Sequence, residues 1–345
     1  MENGTPGAGE KSDDIRLNLE PAEPVQLKLE EYNGDFFTMK VPANWTLETT
    51  GEYENFGFRL HDPASPAKQI FFYGNMKPFL KSEEAKGAWR SYLAGGGYAE
   101  AQLYADAPVL FPATTEQFFT IFDEFTALAS RYGIAHNFPL FVNLEIVEQA
   151  PRCSPIASAS LDDSILRGLF IHDQIPCEGL FAASVFDLMT SYMGTVDAGY
   201  YGVYVVTGIS APADEFYLLE ETLAESLASF QFDEDYIRQG VARKEWETRA
   251  ALEVGKTLSE AADSYNQAWH ERQRVNDALS QKRSDATLGY DRLYDAETKK
   301  IYRAELGFYD EYEINREKFA NPNLHLVPDD NYALYEKAIT GYIYK

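Results

Sequence analysis

Extended, β-branched and aromatic runs in this chain come in blocks, and that grouping narrows its folds more than any other feature. FFTMKV (36–41), NFGFRLHD (55–62) and QIFFYGN (69–75) read as three strands, with the prolines of DPASP turning the chain between the last two. Two helical segments follow. SEEAKGAWRSYLA (82–94) opens on a Ser-x-x-Glu cap and stops at the glycines 95–97. TTEQFFTIFDEFTALASRY (114–132) opens on a threonine cap and carries Phe118, Ile121, Phe122, Phe125 and Leu128 at helical spacing. Then FPLFVNLEIVEQ (138–149), DSILRGLFIHDQ (163–174), GLFAASVFDLM (179–189) and GYYGVYVVTGISAP (199–212) predict four more strands, the middle two a hairpin turning at IPCEG. EFYLLEETLAESLASF (215–230) predicts an amphipathic helix. Strands grouped in this way predict an α+β fold, an antiparallel sheet with flanking helices, rather than a doubly wound one.

The texture changes after Phe232. Residues 236 to about 285 are poor in β-branched residues and rich in Ala, Glu, Arg and Gln, with a sparse apolar stripe. They predict one long helix, or two broken near Gly255. YDRLYD and KKIYRAEL, around Ala296-Glu297-Thr298, predict a two-stranded hairpin. The chain therefore divides into an acidic Gly/Pro tether (1–30), an α+β domain (31–235), and a long helix with a tyrosine-rich hairpin (236–345).

Charge bears on partners. The chain has 30 basic and 55 acidic residues, a formal net charge of -25. Such a field repels phosphate backbones and anionic headgroups, so nucleic acid is excluded as a partner. Between Tyr236 and Arg303, by contrast, 13 basic and 11 acidic side chains nearly balance. Alternating charge on a helix marks a solvated face, or a docking surface for something acidic. No window of apolar residues is long enough to cross a membrane as a helix.

FFTMKVPANW, GYYGVYVVTGISAP and LEETLAESLASFQF resemble the first strand, last strand and last helix of the Mog1/PsbP-like fold, over residues 30 to 235. QKRSDATLGYDRLYDAETKKIYRAELGFYDEY with VPDDNYALYEKAITGYI resembles the C-terminal part of bacterial envelope lipoproteins that join such a domain to a long helix and a hairpin. The resemblance implies an extracytoplasmic, membrane-tethered protein, with a cytoplasmic one as the alternative. It supplies no catalytic residues and no cofactor. The chain has no lipobox cysteine, so a lipid anchor would lie outside it.

Candidate chemistry is sparse. Cys153 and His172 with Asp173 are the one nucleophile, base and orienter that can be assembled, which would make the α+β domain a hydrolase. Neighbours in one strand point to opposite faces, which counts against that set. The five histidines show no metal-ligand spacing, so no metal is expected. Cys153 and Cys177 are either a disulfide across a hairpin or two buried thiols. Tyr290, Tyr294, Tyr302, Tyr309 and Tyr312 crowd one short region. Exposed, they would form a contact patch for a protein or glycan at the cell envelope; buried, they would join hairpin to helix. The expectation is a non-enzymatic extracytoplasmic binding or scaffolding protein, with a hydrolase near Cys153 and His172 as the alternative.

Overall fold

The computed structural model describes residues 18–21, 27–133, 137–243, 285, 289–328, 331–335, 337 and 339–344. They belong to two compact units, one within 25–271 and one joining 1–24 to 272–345. Strand β1 (Asn18–Pro21) belongs to the smaller unit. The larger begins with β2 (Leu29–Asn33), β3 (Phe37–Pro42), β4 (Thr46–Thr50), β5 (Gly57–Asp62) and β6 (Ser65–Leu80). Helices α1 (Glu83–Ala94), α2 (Gln102–Asp106), α3 (Thr115–Thr120) and α4 (Phe122–Tyr132) come next. Then come β7 (Val142–Pro151), β8 (Asp162–His172), β9 (Ile175–Met189), the short pair β10 (Tyr192–Met193) and β11 (Val196–Asp197), and β12 (Tyr200–Pro212). The unit closes with α5 (Ala213–Ala228), β13 (Gln231–Phe232) and α6 (Glu234–Arg243).

Seven strands form one sheet in the order β4-β5-β6-β12-β9-β8-β7, every neighbouring pair antiparallel. The α+β class with flanking helices thus stands on the pairing itself. Both faces of the sheet are covered, because its central strands are apolar on both sides. In β6, Ile70 and Phe72 face a core closed by Phe216, Leu219 and Leu223 of α5, while Phe71 and Tyr73 face a core closed by Phe118, Phe119, Phe122 and Phe125 of α3 and α4. Alternation slips once in β12. Tyr204 and Val205 both enter the α5 core, while Val203 and Val206 enter the other. The register against β9 shifts there, and Val205 has φ 51, so it is the extra residue of a bulge. The guanidinium of Arg152 donates to its carbonyl at 3.0 Å.

The sequence placed the α1 cap correctly: Ser82 accepts from the Ala85 N–H at 3.1 Å. The long helix read over 114–132 is two, α3 and α4, hinged at Ile121 (φ -102, ψ 14). The β8–β9 hairpin forms, but it turns at Asp173-Gln174 rather than at IPCEG, which lies within β9. Both turn residues have positive φ, 48 and 69, the primed geometry that suits strand twist. Nothing in an Asp-Gln pair signals it, since glycine or asparagine ordinarily fills such positions.

In the smaller unit, β14 (Tyr290–Asp295) and β15 (Ile301–Glu305) form the expected hairpin. They sit in a five-stranded sheet ordered β1-β17-β15-β14-β16, with β16 (Leu324–Leu326) and β17 (Ile339–Tyr344). β15 and β17 are parallel. Asn18–Pro21, assigned to the tether by sequence, is an edge strand paired antiparallel with β17. Residues 29 and 30 open β2. A four-residue strand has too little pattern of its own to be seen, and its partner lies at the far end of the chain. Of the predicted long helix, α6 covers the start, and residues 244–284 lie outside the described residues.

The hairpin turn is held by Asp295. Its carboxylate accepts from the N–H groups of Glu297 (2.8 Å) and Thr298 (2.9 Å) and from the Asn321 amide (3.0 Å). Burial pushes this carboxyl up, but these hydrogen bonds lower it by more, so it sits below its usual range. A depressed folded-state pKa stabilises fully above the unfolded value of about 3.9 and is lost as pH falls through the folded value. Urea midpoints followed from about pH 5 to about pH 2 should therefore fall less steeply for Asp295→Asn than for the parent. Equal slopes would show that Asp295 does not contribute.

Candidate binding site

The tyrosine cluster is mostly interior. Tyr302, Tyr309 and Tyr312 are buried with Leu293, Phe308 and Leu324. Tyr312 donates to the Asn321 carbonyl at 2.8 Å and accepts from the Leu324 N–H at 3.1 Å, so its hydroxyl is spent inside the unit. Tyr309 accepts from Arg316 at 3.1 Å. Tyr290 and Tyr294 are half-buried, the first under the Arg303 guanidinium and the second against the His325 ring. The five do not form one exposed patch. A fully buried phenol and a surface one have the same sequence signature, which is why spacing did not separate them.

The cysteine set does not assemble either. Pro151 pairs with Ser164, and Cys153 lies just beyond that end of β7. His172 lies eight residues further along β8, roughly 26 Å at about 3.3 Å per residue. Asp173 is a turn residue rather than a strand neighbour, and its carboxylate approaches His172 Nε2 at 3.7 Å. A hydrolase built on Cys153 and His172 is ruled out by that separation. The same geometry removes the disulfide, because Cys177 pairs with Phe170, near the His172 end. Both cysteines are free, Cys153 exposed and Cys177 buried. Burial pushes the Cys177 thiol up to about 12, so it stays protonated and inert.

The sequence reading missed a cleft at the other edge of the sheet, where β4, β5 and β6 meet. It has a volume of about 170 Å³ and is lined by Glu48, Arg59, Tyr73 and Asn137, with Thr49, Thr50 and Phe58. Its placement follows from register. Phe58 and Leu60 are buried on the α5 side of β5, so Arg59 and His61 point to the other face. Glu48 is the direct cross-strand partner of Arg59. Gly57 is the partner of Tyr73, and a Cβ there would come within 2.4 Å of the Tyr73 ring. The glycine therefore lets that ring lie over β5, where its hydroxyl donates to the Asn137 carbonyl at 3.1 Å.

Arg59 is held from behind. Its Nε donates to Gln69 Oε1 at 2.8 Å and its Nη2 to the Pro66 carbonyl at 3.4 Å. Gln69 itself is fully buried. Among the described residues no carboxylate lies within ion-pair distance of Arg59. Burial lowers its pKa, with Tyr73 and Glu48 acting the other way, yet a guanidinium starts so high that it stays charged. Burial pushes the Tyr73 phenol up, so it stays neutral. Glu48 Oε2 lies 3.9 Å from His61 Nδ1. Burial, and then Arg59, lower the His61 pKa against the pull of Glu48 and Asp62, so this imidazole is neutral near pH 7. A second, more open depression between β2, β3 and α5 holds Lys40 and Glu225, but these pair with each other at 2.7 Å.

No family model matches the chain. No curated protein matches it. Among solved structures it is similar to the cyanobacterial PsbP (CyanoP) of Synechocystis sp. PCC 6803, at 11% identity and a TM-score of 0.26, over 62% of this chain and 97% of that one. At that score the likeness says nothing about function. No helix among the described residues is long and apolar enough to cross a membrane.

Proposed function

We propose that this chain is a non-enzymatic extracytoplasmic binding protein, and that its larger unit holds a small carboxylate-bearing ligand in the Arg59 cleft. One observation carries the reading. Arg59 is a half-buried guanidinium, fixed by a buried glutamine and lacking a carboxylate partner among the described residues, in a chain that has 55 acidic residues to offer. Sequestering a charge without its counterpart is costly, and a ligand carboxylate recovers that cost through charge-assisted hydrogen bonds. The extracytoplasmic location, and tethering through the N-terminal segment, rest on the sequence resemblance.

The binding test is thermal. A ligand that binds the folded state alone adds about 2.7 kcal/mol at a hundredfold excess over its Kd. Small carboxylates should therefore raise the melting temperature of the parent and leave Arg59→Gln unmoved, chloride at equal ionic strength serving as control. No shift in the parent overturns the binding reading. The location is tested by the mass of the N-terminal peptide from native cells. A trimmed or lipid-modified start supports it, and an intact, unmodified Met1 overturns it.

A further inference from the structure

We infer that the Arg59 cleft selects a small zwitterion of the free amino-acid type, with Arg59 taking the carboxylate and Glu48 the ammonium. This deepens the binding reading above and rests on it. Glu48 and Arg59 face each other across β4 and β5. Opposite charges so placed ordinarily pair. These two do not. Arg59 is drawn back by Gln69 and Pro66, and the nearest basic group to Glu48 is the neutral His61. The two charges nonetheless line the same cleft. It therefore presents a cation and an anion held apart, each with hydrogen-bonding capacity to spare.

That arrangement discriminates. A simple carboxylate satisfies Arg59 and leaves Glu48 facing a second negative charge. A simple amine does the reverse. A molecule with both groups a few atoms apart satisfies both walls at once, with Asn137 and the neutral Tyr73 phenol beside it. Size agrees. At about 170 Å³ the cleft falls below the range of about 300–1,000 Å³ that encloses drug-sized ligands. The fit is to an amino acid rather than to a sugar chain.

The experiment is a titration of the whole chain, followed by amide chemical shifts around β4–β6, with glycine and L-alanine, with propionate, and with ethylamine. The parent should bind the amino acids at least about tenfold more tightly than propionate, because a charge-assisted contact is added. Glu48→Gln should erase that advantage while binding propionate at least as tightly as the parent does. Arg59→Gln should remove both by about tenfold or more, and Arg59→Lys should restore part. Far-UV spectra and melting curves show whether each variant is folded. If propionate binds as tightly as alanine, or Glu48→Gln treats them alike, the zwitterion inference is overturned and the carboxylate reading stands. If no probe perturbs the cleft at millimolar concentration, both fall.

Discussion

Phe181→Ala should destabilise the larger unit by about 4 kcal/mol, a large share of the roughly 5–15 kcal/mol that holds a typical domain folded. Phe181 is fully buried on the α3/α4 face of β9. Its ring lies 4.8 Å from that of Phe141, 5.4 Å from Phe119 and 6.0 Å from Phe170. Three glycines make the slot it fills, one on β9 itself and one on each adjoining strand, β8 and β12. A Cβ at Gly179 would come within 2.6 Å of the ring, at Gly208 within 2.8 Å and at Gly168 within 3.2 Å. Because part of the wall is glycine backbone, the site cannot collapse fully around a smaller side chain, and part of the void persists. Phe181→Leu should cost markedly less. Gly208→Ala should fail in the opposite sense, since its Cβ would lie 2.3 Å from the Phe71 ring as well. Urea unfolding, with amide exchange across 180–185, reads all three. A cost below about 1.5 kcal/mol for Phe181→Ala would mean that the slot is plastic.

That slot also shows where sequence reading reaches its limit. The strand blocks and the flanking helices were legible because apolar runs and caps are local signals: Ser82 and Thr114 both cap as predicted. The glycines of LRGLF, CEGLF and VVTGIS were visible too, but only as positions that weaken a strand. Which ring each one accommodates is a matter of register, and register is a relation between segments. The same holds for the cleft. Glu48, Arg59, Gln69 and Tyr73 come from three strands, and no two of them form a motif. What could have flagged them is the run FRLHD, in which Arg59 and His61 alternate with Phe58 and Leu60. A charged residue between core residues on an inner-looking strand is a candidate for half-burial. The tyrosine cluster stayed open between patch and interior for the converse reason, since proximity in sequence carries no information about exposure.

Removing Asp285 should cost the smaller unit about 3–5 kcal/mol, because it is the shared counter-ion of two buried arginines. Arg292 Nε and Arg303 Nη2 approach its two carboxylate oxygens at 2.7 and 2.8 Å, and all three side chains are almost wholly inaccessible. Arg292 and Arg303 are direct cross-strand partners on β14 and β15, so without the carboxylate two guanidinium groups face each other in the interior. Each also lies over an aromatic ring, Arg292 on Tyr335 and Arg303 on Tyr290, which fixes them in place and denies them a route to water. An exposed pair such as Lys28–Glu30, by comparison, is screened by water and contributes little. Asp285→Asn keeps the shape and removes the charge, so it should lose most of what Asp285→Ala loses. Replacing Asp285, Arg292 and Arg303 together by apolar residues of similar volume should recover much of it, since the buried guanidinium charges that lose this carboxylate are then removed with it. If the triple variant is no more stable than Asp285→Ala, the ionic cluster is needed for specifying the hairpin's packing, and the loss of this counter-charge is not what destabilises the single variant.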